Sequence, residues 1–588
     1  MATAGTARHT RGGEWLIVDT DPAAIMTRER ITDEHRMIEQ SAAEFMTGEV
    51  LPVIDRLEQK DWALNRELLK KCGALGLLGT NVPEAFGGVD LDKVATLLVS
   101  EQVAVNASFA ATFGAQANLT ILPIFLFGSD AQKAHYLPAL VAGEMTGAYA
   151  LSESGSGSDA LSAKTKAVRQ ADGSFVLSGE KMWITNGGFA DVFIVFAKVD
   201  GELFTAFIVE RAWAGVSSGK EEHKMGLHGS STTPVILQDV RVPAVAVLGE
   251  VGKGHKVAFN VLNFGRFKLG AMTSGGAKAA LADAAKYAAT RKQFGVPIAT
   301  FGAIRHKLGE MTTREYGLES LMFRTAGLID HTVEAAGHTA AAVLQALEEY
   351  AIEASIAKVY GSEVVDYVID ECVQIHGGNG FVADYPVERR YRDARVNRIF
   401  EGTNEINRLL IPGMLIKKAV KGELPLMAAA KALQAEIMGP AAAPAASDRP
   451  LAVESQAVSA FKKVVLLVAG AAMQRHGDAL QHEQEVLSSL ADIVIEAYAA
   501  ESAVLRAMAA TGPHAALHVA AATIITHEAF GRIELAARAA LAALAEGDAL
   551  RTSLAALKRL MKLTPANLVA LRRQVADAAV ATGGYPFA

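Results

Sequence analysis

A chain of 588 residues, 51% hydrophobic and 21% charged, exceeds what one hydrophobic core supports and predicts three or four domains. Its formal net charge of -7, with Lys and Arg scattered rather than gathered in a stripe, excludes nucleic acid as the main partner. The two cysteines, Cys72 and Cys372, exclude a disulfide framework, and without a Cys or His at ligand spacing they exclude zinc.

In chain order, residues 1–27 carry Arg8 and Arg11 but lack the apolar segment of a signal peptide, and predict an N-terminal tail. From 28 to 146, apolar residues recur at helical spacing, as in Leu68, Leu69, Cys72 and Leu75, and predict a helical domain. From 147 to 252 the texture changes to short β-rich runs, Ser174 to Leu177, Lys181 to Thr185, Val192 to Val199, Phe204 to Val209 and Pro234 to Val242. Gly, Asp and Asn separate most of them, as in a small antiparallel sheet or barrel. Helical periodicity returns over 253–425, clearest in Ala277 to Thr290 and Leu344 to Ile375. An Ala/Pro-rich linker is predicted over 426–452, centred on Met438 to Pro450. An Ala- and Leu-rich helical domain over 453–588 carries no concentrated chemistry, so its predicted role is packing. The fold class is mainly α with a central β-domain. No run of about 18 apolar residues is present, which predicts a soluble protein.

Five segments could carry chemistry. In Ile399-Phe400-Glu401-Gly402-Thr403-Asn404, a carboxylate follows an apolar pair and precedes a helix start; apolar neighbours disfavour its anion, raise its pKa and suit it to be a base near neutral pH. In Tyr149-Ala150-Leu151-Ser152-Glu153-Ser154-Gly155-Ser156-Gly157-Ser158-Asp159, Ser and Gly offer hydroxyl and backbone donors to a closely approaching ligand. Trp183 and Thr185 would share one face of a strand and suit a flat aromatic group. Arg291 and Phe294, in Thr290 to Gly295, suit pyrophosphate and adenine; Gln374 to Phe381 ends a helix in three glycines whose amides could meet an anion. Each also has a structural explanation, a solvated charge, a loop, a core Trp or a helix end, and His376 is assigned no chemistry.

Taken together and in order, these segments resemble the acyl-CoA dehydrogenase family from about residue 30 to 420. The resemblance implies an N-terminal helical domain, a middle β-domain and a helical bundle, with FAD between the last two and an extra C-terminal helical domain beyond. The implied reaction is α,β-dehydrogenation of an acyl-CoA thioester, a carboxylate removing the pro-R α-proton while a hydride leaves the β-carbon for flavin N5. Glu401 matches the family's base, with its own N–H expected to hydrogen-bond the thioester carbonyl and Gly402 beside it. Tyr149, Leu151, Ser152, Trp183 and Thr185 match contacts to the isoalloxazine, and Ser158 a contact to both cofactor and acyl-CoA. Arg291, Phe294, Gln374 and Gly378 match residues reaching the FAD of a neighbouring subunit, Thr403 and Glu405 lie at the pyrophosphate-adenine end, and Arg266 matches an Arg near the acyl-CoA. A shared cofactor implies an obligate oligomer.

Two departures qualify the likeness. Some members carry the base at the position of Gly265, so Gly265 with Glu401 favours the straight-chain type of site over the isovaleryl type. The usual Thr-Glu-Pro-x-Ala-Gly-Ser-Asp becomes Ser152 to Asp159, implying a looser loop with its donors kept. The small residues Ala111, Gly114 and Ala115 align with the floor of the acyl pocket, leaving room for a longer tail or letting helices pack closely. With the C-terminal extension they point to the very-long-chain type, a homodimer that passes electrons from fatty-acid β-oxidation to electron-transfer flavoprotein. Alternatives are an acyl-CoA oxidase and a flavin-containing assembly or binding factor. The expected place is the cytoplasm if the source is bacterial, and the mitochondrial matrix side if eukaryotic. The Ala/Pro linker lacks a basic amphipathic pattern, so membrane association would be peripheral at most.

Overall fold

The computed structural model describes residues 9–439 and 450–587. Helices begin where the sequence supplies caps: Thr32 opens Asp33–Phe45, Asp61 opens Trp62–Ala74, Asp92 opens Lys93–Val103, Asn106 opens Ala107–Gln116 and Ser129 opens Asp130–Val141, each side chain accepting a first-turn N–H. The Ala107–Gln116 helix runs through a π-turn, Ala117–Ile121, into Leu122–Phe127, and Thr120 Oγ1 donates to the Ala115 carbonyl five residues back. Such a turn widens a helix locally and often marks a functional site.

The middle region is one sheet of eight strands, β1 Gly147–Ala150, β2 Lys166–Arg169, β3 Phe175–Thr185, β4 Val192–Val199, β5 Leu203–Glu210, β6 Val216–Ser218, β7 Thr232–Val242 and β8 Val247–Leu248. Their order is β6-β7-β3-β2-β4-β5-β8, with β1 parallel to β4. Two runs that read separately in the sequence, Ser174 to Leu177 and Lys181 to Thr185, are one strand, β3, kept continuous through two bulges against β7. Alternate residues of β1, β4 and β5 divide between two cores. Ala148, Phe193, Val195 and Phe207 fill the sheet's own core, while Tyr149, Ile194, Phe196 and Ile208 join the helical body.

The bundle is built on Gly254–Thr290, Gly302–Ala336, Ala351–His376 and Asn404–Val420. The expected stretch Leu344 to Ile375 is broken at Tyr350, so two helices, Ala340–Glu349 and Ala351–His376, replace one. Five further helices, Ala452–His476, Gln484–Ala509, Ala515–Leu544, Gly547–Leu560 and Leu568–Thr582, pack on the bundle and share its core.

Three expectations change. Residues 9–27 are no tail: Trp15 and Leu16 are buried, Gly12 and Gly13 donate to Glu349 and Glu353 at 2.9 and 2.7 Å, and the Trp15 indole donates to Glu353 and packs 4.9 Å from the Tyr498 ring. This strap fastens the bundle to the C-terminal helices. Within the expected linker, Leu426–Met438 is a helix, because Ala, Leu and Met propensity prevails before the prolines; 440–449 lie outside the described residues. Two helical stretches, Ala107–Phe127 and Ala452–His482, are long and apolar enough to cross a bilayer, although no such run was expected. Most of the first is buried in the body.

Candidate active site

Glu401 sits between the short helix Arg395–Arg398 and Asn404–Val420 in a turn with left-handed backbone at two successive residues, φ +57° at Glu401 and +77° at Gly402. Glycine takes this conformation freely, but for glutamate it is strained and must be held by its surroundings. Asn407, fully buried, reaches the carbonyls of Glu401, Gly402 and Thr403 with one amide at 3.4, 2.9 and 3.0 Å. Arg266 Nε donates to the Glu401 carbonyl at 3.2 Å while Nη1 donates to Asn263 at 2.9 Å. Thr403 caps the following helix by accepting from Ile406 N–H. The Glu401 N–H has no acceptor among the described residues.

The side chain so presented is a carboxylate without a hydrogen-bond partner among the described residues, its Oε2 wholly enclosed. Burial pushes its pKa up to about 7, against the opposing pull of Arg266 and Lys358. Gly265 makes the space: a Cβ there would lie 2.5 Å from Oε2 and 2.8 Å from Cδ. Lys358, fully buried, donates to Asn404 Oδ1 at 2.6 Å, and burial lowers its own pKa to about 8. The turn therefore sets an enclosed, proton-hungry carboxylate beside two fixed cations, an arrangement able to take a proton from carbon near neutral pH.

An apolar cavity is lined by Glu401, Gly265, Leu269 and Met272, by Ala111, Gly114 and Ala115 of the helix before the π-turn, and by Leu51 and Ile54. The three small residues expected at the floor do line it, and a Cβ on Gly114 would meet Met272 at 3.4 Å, ordinary contact. Thr185 lines the same cavity. Arg266 does not line it; its guanidinium is committed behind the base to the Glu401 carbonyl and Asn263.

The features expected to hold a flat cofactor fit one. Trp183 is 58% exposed with φ +59° at a bulge in β3, so strained backbone holds a large indole out from the sheet, while Ile184 beside it enters the core. The Tyr149 hydroxyl is buried without a partner among the described residues, its pKa raised by burial and by the Glu401 charge, an orphaned polar group that a bound cofactor could satisfy. Leu151 is buried, whereas Ser152 is half-buried and Ser158 exposed. A Cβ on Gly155 or Gly157 would meet open space. The loop is not loose. Glu153 is buried, accepts from Lys164 and Thr165 N–H, Thr165 Oγ1 and Lys181 Nζ at 2.6 to 3.0 Å, and pairs with Ser156 through two backbone bonds. Those bonds hold its pKa below the usual glutamate value despite burial.

Other predicted residues lie elsewhere. Arg291 follows the C-terminus of Gly254–Thr290, roughly 39 Å along the helix axis from Gly265. Phe294, 94% exposed, Gln374 and Gly378 are exposed at the same end, where His376 stacks on Tyr287 at 4.1 Å and bonds the Cys372 carbonyl. Glu405 is exposed in the first turn of its helix, where backbone N–H groups hold its pKa low. Sequence reasoning missed Asn407, Lys358 and Lys268, the last a buried lysine lining the cavity. The lysines were findable, since Ala357-Lys358-Val359 and Phe267-Lys268-Leu269 each set a lysine inside an apolar helical run, which calls for a partner or a task; nothing local marks Asn407.

Comparison with known proteins covers nearly the whole chain. Residues 32–144 match the family description "Acyl-CoA dehydrogenase, N-terminal domain", 148–240 the middle domain, and both 252–415 and 460–559 a C-terminal domain of the same name. The chain is 48% identical over 577 residues to a "Probable acyl-CoA dehydrogenase" of Bacillus subtilis, covering 96% of this chain and 97% of that one. It is 39% identical over 405 residues to the mitochondrial very long-chain specific acyl-CoA dehydrogenase of Macaca fascicularis, 66% of this chain and 60% of the relative. Among solved structures, an acyl-CoA dehydrogenase complexed with FAD from Bacillus anthracis superposes with TM-score 0.96 at 48% identity, over 98% of this chain and 100% of that one. Butyryl-CoA dehydrogenase from Megasphaera elsdenii superposes with TM-score 0.61 at 37% identity, over 66% of this chain and 99% of that one.

Proposed function

We propose, from the premise that this chain belongs to the acyl-CoA dehydrogenase family and is an FAD-dependent acyl-CoA dehydrogenase, that it oxidises long- to very-long-chain acyl-CoA to trans-2-enoyl-CoA in fatty-acid β-oxidation, with Glu401 as base. The observation that carries this reading is the enclosed, partnerless Glu401 carboxylate, seated against Gly265 at the head of an apolar cavity. When bound, FAD supplies the two-electron acceptor for the hydride lost from the β-carbon. Glu401 takes the α-proton, its pKa near 7 keeping it half ionised at working pH while still basic. Its free N–H points the thioester carbonyl and stabilises the negative charge that develops on that oxygen. Arg266 and Asn407 position the turn through their bonds to its carbonyls.

Chain length rests on the small floor residues and on the C-terminal extension, each further buried methylene contributing about 0.8 kcal/mol. Electron-transfer flavoprotein is the acceptor we assign. The exposed Arg291, Phe294, Gln374 and Gly378 are assigned to a partner subunit's FAD, with Thr403 and Glu405 at the adenine end and Ser152 and Ser158 on the flavin side. We assign the protein to a homodimer in the cytoplasm, the latter supported by its likeness to a bacterial relative along its length. Turnover of acyl-CoA from four to about twenty carbons tests the length assignment, with kcat/KM expected to climb past twelve carbons; a maximum at four to six would overturn it. Palmitoyl-CoA should bleach the flavin anaerobically, with electron-transfer flavoprotein restoring its colour faster than air. Rapid hydrogen peroxide formation would reassign the protein as an oxidase.

A further inference from the structure

The cavity is lined by more charge than an alkyl tail needs. Four of the charged side chains are accounted for. Arg390 donates to Asp283 at 3.1 Å and to the Val105 carbonyl at 2.9 Å, Arg389 pairs with Asp55 at 3.7 Å, Asp393 accepts from Leu227 N–H at 2.5 Å, and Glu401 is the base proposed above. Lys268 is different. It is 2% exposed, lines the cavity one helical turn beyond Gly265, and makes no hydrogen bond or ion pair among the described residues. Its only partners are ring faces, Phe113 and Phe264, each with its centroid 5.8 Å from Nζ.

A buried ammonium without an acceptor costs several kcal/mol in apolar surroundings unless it loses its proton or finds an anion. Lys268 does part of the first: burial, then the neighbouring Lys93, draw its pKa down to about 7. Lys93 cannot be the partner, being a cation itself, and the cations acting on Glu401 are Arg266 and Lys358 rather than Lys268. The unmet need is for oxygen, and the molecule that enters this space is the acyl chain.

We propose that Lys268 is a specificity-determining residue, its amino group forming a subsite inside the acyl tunnel for an oxygen-bearing substituent of the chain, a terminal carboxylate or hydroxyl. The inference rests on the reading of this cavity as the acyl tunnel. An alkyl chain meets Lys268 as a neutral amine and is tolerated. A carboxylate meets it as an ammonium and gains a charge-assisted bond between the two ring faces. Because Lys268 lies only one turn from Gly265, the group it selects sits part-way along the tunnel, so chain length decides which substrates reach it.

The test compares kcat/KM for chain-matched alkyl, ω-hydroxy and ω-carboxy acyl-CoA thioesters of six to sixteen carbons, using the FAD-loaded wild type, Lys268→Met and Lys268→Arg. In the wild type one length of ω-carboxy substrate should stand out. Lys268→Met should lower the ω-carboxy to alkyl ratio at that length by about 10- to 100-fold, and raise alkyl turnover by making the tunnel wall apolar at that point. Lys268→Arg should restore the ratio. Flavin absorbance and melting temperature identify any variant that fails to fold, in which case Lys268→Gln, which keeps a hydrogen-bond donor but no charge, should lose the ω-carboxy preference more than the ω-hydroxy one. An unchanged ratio in folded Lys268→Met, or a wild type that takes alkyl chains but no oxygenated chain, overturns the subsite alone. Failure of every thioester to bleach the flavin overturns the tunnel and the subsite together.

Discussion

Two enclosed glutamates, Glu401 in the turn before Asn404–Val420 and Glu319 within Gly302–Ala336, have opposite fates. Glu401 has no hydrogen-bond partner among the described residues, and burial pushes its pKa up to about 7. Glu319, wholly buried at the seam between the bundle and the C-terminal helices, accepts from Lys278 at 2.6 Å and the Tyr585 hydroxyl at 2.7 Å, pairs with Arg506 at 2.7 Å, and is held down at about 2. Burial opposes the anion in both, and only the partners differ. A glutamate left alone is available to accept a proton; one fully partnered cannot accept it and instead ties Gly254–Thr290, Gly302–Ala336 and Gln484–Ala509 together. Arg506 extends that seam to the short helix Arg28–Arg30 that follows the strap, reaching Glu29 at 2.6 Å and covering the Tyr316 ring at 4.4 Å.

Neutralising each carboxylate separates the two most sharply. Glu401→Gln should keep FAD and lower kcat by about 10²- to 10⁴-fold, measured by anaerobic flavin bleaching; near-normal turnover removes Glu401 from the chemistry. The same change should stabilise the protein. With a folded pKa near 7 against an ordinary value of 4.5, wild-type stability falls as pH rises between those values, by on the order of 2–3 kcal/mol. The variant should therefore unfold later than wild type at pH 8 and equally at pH 4.5. Glu319→Gln should do the reverse, because a depressed pKa stabilises above the unfolded value and its contribution is lost as pH falls towards 2. Its deficit should be largest at neutral pH and shrink in acid.

Removing a partner is the next test. Arg506→Met strips Glu319 and Glu29 of their shared cation and should cost about 3–5 kcal/mol of stability, the cost of breaking a buried pair from one side, visible as earlier thermal unfolding with kcat nearly intact in the protein still folded. An equal loss of kcat would mean that the seam reaches the site. Gly265→Ala probes the space around the other glutamate: a Cβ 2.5 Å from Oε2 must displace the carboxylate, lowering kcat by about tenfold or more, since small misplacements of a base are costly. Retained activity would show that the turn can yield.

The sequence exposes one of these glutamates far better than the other. Glu401 is legible because its determinants are local: an apolar pair before it, Gly402 after it, and Gly265 noticed as an empty alternative. The β-rich texture of the middle region is local too, and the structure builds a sheet there; Ala111, Gly114 and Ala115, small residues close in sequence, line the cavity together. What defines Glu319 is not local, since Lys278, Arg506, Tyr585 and Glu29 come from four remote parts of the chain and no spacing connects them. The strap was read as a tail for the same reason. Gly12, Gly13 and Trp15 look like a flexible start until Glu349 and Glu353 stand opposite them. Left-handed backbone at Glu401 and Trp183 was equally hidden, because neither residue type favours it and only tertiary contacts impose it.

The smallest effect lies between the two extremes, in how far the lone glutamate is restrained by charges it does not touch. Lys358 forms no hydrogen bond to Glu401; its ammonium is held by Asn404, and with Arg266 it opposes the upward push of burial on the carboxylate. Removing that charge while keeping the bulk, as in Lys358→Met, should raise the base's pKa further, so a larger fraction is protonated and idle at a given pH. The acidic limb of the kcat profile should then move to higher pH by about one unit or less, the scale of a single charge acting across partly solvated surroundings. At high pH, where the base is ionised in both proteins, kcat should converge. A uniform fall at every pH would mean that Lys358 acts by holding Asn404 and the turn in shape, and a Lys358→Arg variant separates the two, since it keeps the charge but not the length of the contact.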